Sequence, residues 1–247
     1  MLRKRYLELD LFRGLAILMM VLFHILFDLN MYGVTHLPLF SHPFWMVYRE
    51  TISFLFLGLV GFCLYLEHQN GIRWKAFGRR TLRIAVGAFL VSIGTYIFDP
   101  HHFIYFGILH FIVAGSLVAL AFLHKPRLSL ILGIYILAFG YIGHINDPRH
   151  SLPYLGWVGF GTSAMQTLEC FPFIPFFGYV LMGLALAAQT LSRNKDYLFV
   201  KIPPQGDQSW LRFLSFLGKH PLAIYLVHQP ILIGIIHLAT HGINRVY

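Results

Sequence analysis

Asp10–Tyr32, DLFRGLAILMMVLFHILFDLNMY, decides the fold. The run is apolar enough and long enough to cross a bilayer core, which takes about 20 residues of helix. Four ionisable side chains interrupt it: Asp10, Arg13, His24 and Asp28. At about 100° per residue, with Asp10 at 0°, Asp28 falls near 0°, His24 near −40° and Arg13 near −60°. All four therefore share one face. Charges facing lipid are costly, and intramembrane ionisable groups are normally buried in protein, paired or wetted by a cavity. The first helix is expected to turn this stripe toward a polar interior.

The rest of the chain reads the same way. Hydrophobic residues make up 57% of the 247 residues and charged residues 12%, with a mean hydropathy of +0.66, which excludes an ordinary soluble domain. Apolar runs near 10–32, 44–67, 81–98, 105–123, 128–145, 171–191 and 219–240 predict an all-α, polytopic bundle of about seven transmembrane helices. Short connections, with no internal repeat, predict one membrane domain over 1–247. The stretch 192–209, broken by Pro203-Pro204 and Gly206, is expected to be a loop. The outer segment 146–169, half apolar with Tyr154 and Trp157, is expected to lie on the membrane or dip back into it. If the runs alternate across the membrane from a cytoplasmic N-terminus, only Arg49, Arg149 and Arg245 of the 19 basic residues fall outside. That asymmetry predicts N-terminus in and C-terminus out. The formal charge of +9 is thus a topology signal, and a nucleic-acid partner is not expected. Arg3-Lys4-Arg5 precede the first run as they would in a signal peptide, but the run is too long for one and lacks a small-residue cleavage site, so an uncleaved helix is expected. Cys63 and Cys170 are not expected to pair.

His24 and Asp28 stand at i and i+4, where a carboxylate can orient an imidazole and raise its basicity. His110, in Phe106-Gly107-Ile108-Leu109-His110, and His228, in Tyr225-Leu226-Val227-His228-Gln229-Pro230, lie deep enough to reach the same cavity, or to serve as helix-bridging hydrogen bonders. Pro230 cannot donate to the Leu226 carbonyl, so a kink is expected beside His228. Most other histidines read as interfacial. Asp99 with His101-His102 falls short of a metal-ligand set, and no metal is expected. Arg73, Lys75, Arg79, Arg80 and Arg83 form an inner basic cluster that the positive-inside bias accounts for; its sharper reading is contact with a phosphorylated donor. Arg13 is better placed for that contact, about 16 Å along the helix from His24.

Asp10-Leu-Phe-Arg13-Gly14-Leu-Ala with His24, Phe106–His110, Phe171-Pro172-Phe173-Ile174-Pro175-Phe176-Phe177-Gly178-Tyr179 and Gly218-Lys219-His220-Pro221-Leu222-Ala223-Ile224-Tyr225-Leu226-Val227-His228-Gln229-Pro230 occur in that order. Together they resemble the transmembrane acyltransferase superfamily. Within it the chain is similar to bacterial relatives of heparan-α-glucosaminide N-acetyltransferase. The resemblance implies a multi-pass protein of the bacterial inner membrane that moves an acyl group, acetyl above all, from cytosolic acetyl-CoA to an extracytoplasmic glycan, amino sugar or other small acceptor. It also admits a homodimer. Arg13 and His24 fit the arginine–ten residues–histidine pattern of the O-acyltransferase branch, whereas the lysosomal enzyme places its reactive histidine near His36. Both histidines stay open as the base, with His24 preferred. The site this implies has His24, Asp28 and His228 in catalysis, His36, His110 and Tyr225 as further candidates, and Arg13, Asp10, Arg79 and Arg80 around acyl-CoA. His228 and Tyr225 are the candidate donors to the oxyanion. Direct transfer is the expected route and an acyl-histidine its variant. Two other classes fit parts of the pattern: a proton-coupled transporter, against which the odd helix count and missing inverted repeat weigh, and a non-catalytic partner of an envelope enzyme.

Overall fold

The computed structural model describes residues 6–142, 153–160, 167–193 and 209–243. Arg3-Lys4-Arg5, His144, His150, the stretch 194–208 and most of the outer segment 146–169 lie outside the described residues. Every regular element among those described is helical: α1 Leu7–Met31, α2 Pro43–His68, α3 Trp74–Phe98, α4 Ile108–Ala119 prolonged by a 3-10 turn Leu120–Phe122, α5 Pro126–Ile142, a 3-10 segment Pro153–Val158, α6 Phe173–Arg193, α7 Ser209–Lys219 and α8 Pro221–Ile243. Five of them, α1, α2, α3, α6 and α8, are long and apolar enough to cross a membrane, while α4 and α5 are shorter apolar helices. The chain is a helical membrane protein. Two boundaries differ from the sequence expectation. α3 begins at Trp74, about two turns early, so most of the inner basic cluster is helical. α7 was not foreseen as a separate element.

The described chain divides into two compact units, Met1–Phe56 with Phe199–Tyr247, and Leu57–Leu198. The first holds α1, the start of α2, α7 and α8. Its centre is Ile17, Met20, Phe23, Leu39 and Ile52, with Trp45, Tyr48, Leu217 and Ile224 packed around them. The Tyr48 hydroxyl donates to the Met19 carbonyl at 3.1 Å, tying α2 to α1. Lipid supplies no hydrophobic drive between helices, so such contacts rest on close packing and hydrogen bonds. α7 packs on α1 through Leu214 and Gly218, with Ser215 and Gly218 buried. The approach is as close as backbones allow. A Cβ on Gly14 would overlap the Leu214 carbonyl, and a Cβ on Gly218 would overlap the Asp10 carbonyl. Pro221 sits in the first turn of α8, where its missing N–H costs nothing.

The second unit repeats this use of small residues. Gly61 meets the Val180 carbonyl and Gly183 the Gly58 carbonyl between α2 and α6, while Gly133, Gly178 and Gly140 bring α5 onto α6. The entry of α6, flanked by Pro172 and Pro175, is distorted: Ile174 breaks the helical pattern with φ −100° and ψ 126°, the extended backbone that a following proline favours. Glu169 caps α4, its Oε1 accepting the Ile108 N–H at 2.6 Å. A carboxylate there satisfies one of the unpaired amides that every helix start leaves.

Beyond the end of α3, His102 Nδ1 donates to Asp99 Oδ2 at 2.6 Å and the His101 N–H to Oδ1 at 3.1 Å. The His102 bond is the main cause holding the Asp99 carboxyl below its ordinary value. A lowered acid stabilises the fold above its unfolded value, about 3.9, and that contribution disappears as pH falls through the lowered native value. Asp99→Asn is therefore expected to lower the melting temperature slightly near neutrality, and by progressively less as pH falls through the lowered native value. Melts over a series of pH values check this.

Candidate functional site

The stripe on α1 meets protein along its length, but two different neighbours receive it. Near the start of α1, Asp10 is 5% exposed and accepts from Arg13 Nη1 at 2.7 Å. The same turn carries the carbonyl that Gly218 of α7 approaches. Arg13 and Asp10 thus form an ion pair at the α1–α7 corner, and part of the Arg13 charge is spent there.

Near the other end, His24 and Asp28 face α8. Asp28 is fully buried. Its Oδ1 accepts from Gln229 Nε2 at 2.7 Å, and its Oδ2 has no partner. The expected His24–Asp28 hydrogen bond is not made: His24 Nδ1 is buried without a partner. The i, i+4 spacing brought the two side chains to one face, but the amide of Gln229 takes the carboxylate. Gln229 is the residue that reading the sequence missed. Its only signal was an amide beside Pro230 inside an apolar run.

His24 lies instead against His228, with ring centroids 4.9 Å apart and planes at 65°. Phe23 and Phe27 stand edge-on to His24 at 6.1 and 6.3 Å. His228 is 8% exposed, and its Nδ1 is 2.7 Å from the Tyr225 carbonyl. A carbonyl only accepts, so the partner assigns the proton to Nδ1. Neutral His228 then presents an Nε2 lone pair, and that atom is buried and unpartnered. As the neutral imidazole, His228 thus turns an acceptor toward the cluster, and it donates there only once protonated. Pro230 lies inside α8 next to this turn, where its ring disturbs the preceding carbonyls. Tyr225 rests against His228 at 5.6 Å between rings.

Among the described residues, four buried polar atoms on α1 and α8 therefore lack a hydrogen-bond partner: His24 Nδ1, Asp28 Oδ2, His228 Nε2 and Gln229 Oε1. Each such atom costs about 1–3 kcal/mol. Unsatisfied groups concentrated in one place mark a ligand or catalytic role more often than a structural one.

His36, His110, Arg79 and Arg80 each have their own surroundings. His36 is exposed in the loop after α1, which Asn30 braces by donating to the Leu37 carbonyl at 2.6 Å and accepting the Leu37 N–H at 3.0 Å. His110 belongs to the second unit. Its Nδ1 accepts the Gly107 N–H at 3.3 Å and its Nε2 lies 3.1 Å from Ser92 Oγ. Ser92 donates to the Ile104 carbonyl at 2.7 Å, so Nε2 donates to Ser92. Both ring nitrogens are used, and His110 ties α3 to α4. Arg79 is exposed on α3, and Arg80 is 4.0 Å from Glu67. Burial, with Glu169 beside it, pushes the Cys170 thiol up to about 11, which leaves no thiolate to act at neutral pH. Among the described residues no group of three or more His, Cys, Asp or Glu gathers around one point.

Fold and site define a polytopic helical membrane protein with a histidine–carboxylate cluster buried between its first and last spanning helices. Residues 5–230 match the family described as heparan-alpha-glucosaminide N-acetyltransferase, catalytic, and the chain belongs to that family. The matched span contains every member of the cluster, from His24 to Gln229. No curated protein and no solved structure matches the chain.

Proposed function

We propose that this protein is a membrane acetyltransferase that takes acetyl from cytosolic acetyl-CoA and passes it to an amino sugar or glycan hydroxyl on the extracytoplasmic side, in the bacterial inner membrane. The observation that carries the reading is the facing pair His24 and His228, with unpartnered buried nitrogens, in a chain of an acetyltransferase family.

The acceptor's nitrogen or oxygen attacks the thioester carbonyl. One bond forms to the acyl carbon, the C–S bond breaks, and the acceptor's proton passes to an imidazole and then to the departing CoA thiolate. On sequence, His24 is the preferred base, with His36 the alternative. Geometry favours His228 for the first proton, because the Tyr225 carbonyl fixes its tautomer with Nε2 ready to accept. His24, one ring away, serves as the second acid–base group. Asp28 and Gln229, locked together, offer Oδ2 and Oε1 as acceptors for the hydrogens of an incoming amine or hydroxyl. Arg13 remains the assignment for a CoA phosphate. Its distance from His24, about 16 Å along the helix, is on the scale of an extended pantetheine arm.

Purified protein in detergent is expected to bind acetyl-CoA saturably and to release CoA slowly in the absence of acceptor. Glucosamine is expected to accelerate that release and to appear as its N-acetyl product. No binding of acetyl-CoA to the wild-type protein overturns the reading.

A further inference from the structure

The geometry points to a binding site for an anionic phospholipid on the exposed face of α3. Lys75, Arg79 and Arg83 recur every four residues at the start of this helix. With Lys75 at 0°, they fall near 0°, 40° and 80° at about 100° per residue. All three are exposed. Among the described residues no carboxylate pairs with them; the nearby acid, Glu67, is engaged by Arg80, which lies farther round the helix. Arg83 Nε donates to the Arg79 carbonyl at 3.4 Å. That bond draws the Arg83 side chain back toward the turn of Arg79. Three like charges within about two turns, without a counter-charge on them, favour an anion beside them.

The same face continues as bare hydrocarbon. Leu82, Val86, Phe89 and Ile93 fall near −20°, 20°, −40° and 0° and are 65%, 50%, 63% and 42% exposed. Leu82 to Ile93 spans about 16 Å of helix, half of a bilayer core about 30 Å thick. That is the reach of one leaflet's acyl chain. Trp74, 65% exposed at the basic end, belongs at the level of the headgroups. Basic head and apolar track on one side of the helix match a single phospholipid carrying a net negative headgroup, with Trp74 about 100° round the helix from Lys75, and the orientation expected from charge puts this end at the anionic cytoplasmic surface. A soluble phosphate such as that of CoA has no use for the apolar track.

The test uses the full chain in neutral detergent, titrated with phosphatidylglycerol or phosphatidylcholine of identical acyl chains and followed by native mass spectrometry and melting temperature. Wild type is expected to prefer phosphatidylglycerol, with each basic side chain worth about fivefold in affinity. Arg79→Gln is expected to cut the preference about fivefold and K75Q/R79Q/R83Q to erase it, while Arg80→Gln retains it. Single Arg79→Gln leaves the other charges that orient the helix, so it reads the site even if the triple variant inserts poorly. Equal binding of the two lipids by wild type overturns the proposal, leaving the charges with a topological role alone. So does competition by adenosine 3′,5′-bisphosphate, which makes this a free-phosphate site, or a dimer that occludes the face in both lipids.

Discussion

His228→Ala and His24→Ala are each expected to cut acetyl transfer by about 10²–10⁴-fold, the usual worth of a positioned acid–base group, while leaving acetyl-CoA binding near wild type. The expectation rests on the pair's geometry. His228 has one nitrogen committed to the Tyr225 carbonyl and the other buried and open. His24 faces it at 4.9 Å. Neither ring is spent on holding helices together, in contrast to His110, whose two nitrogens are both bonded. Gln229→Leu is a different case. It removes the amide that donates to buried Asp28, and should destabilise the fold by about 1–3 kcal/mol as well as slow transfer. Rates, KM for acetyl-CoA and melting temperature measured together separate the two kinds of loss. If either histidine variant turned over at the wild-type rate, that histidine would leave the mechanism.

Gly218→Leu is expected to lose folded protein. Even its first added carbon falls on the Asp10 carbonyl, which is main chain and cannot swing aside. Relief requires α7 to move off α1, giving up the reciprocal contact at Gly14 and Leu214 and loosening the Arg13–Asp10 pair beside it. The cost should exceed the usual overpacking range of about 1–3 kcal/mol. Gly234→Ala in α8 is the control: nothing lies within 4 Å of the added carbon, and alanine favours helix by up to about 1 kcal/mol. Thermal melts in one detergent are expected to show a large drop for the first and no drop for the second.

Hydropathy carried the five helices long enough to span, α1, α2, α3, α6 and α8, because each needs a long apolar run, whereas the runs near 105–123 and 128–145 form the shorter α4 and α5; the stripe on α1 followed from helical period alone. Both concern one segment at a time. α7 was hidden because it is short, amphipathic and joined to the polar stretch before it, so its apolar residues read as part of a loop and of the next helix. The start of α3 was hidden because basic residues between Arg73 and Arg83 look like a connection, although long basic side chains tolerate an interfacial helix well. The site shows the same limit. Spacing placed His24 and Asp28 on one face, but the residue that bonds Asp28 lies 201 positions away. Periodicity within α1 holds no trace of it. The tautomer of His228, set by a carbonyl of its own turn, likewise appears only once the backbone is placed.

The central claim is that acetyl crosses the membrane through the His24–His228 pair. Sealed proteoliposomes with labelled acetyl-CoA on the face bearing the protein's N-terminus and glucosamine on the other test it most directly. The account predicts labelled N-acetylglucosamine accumulating on the glucosamine side with wild-type protein, and almost none with His24→Ala/His228→Ala. Product of equal yield from the double variant, or none from wild type with acetyl-CoA on either side, would contradict it.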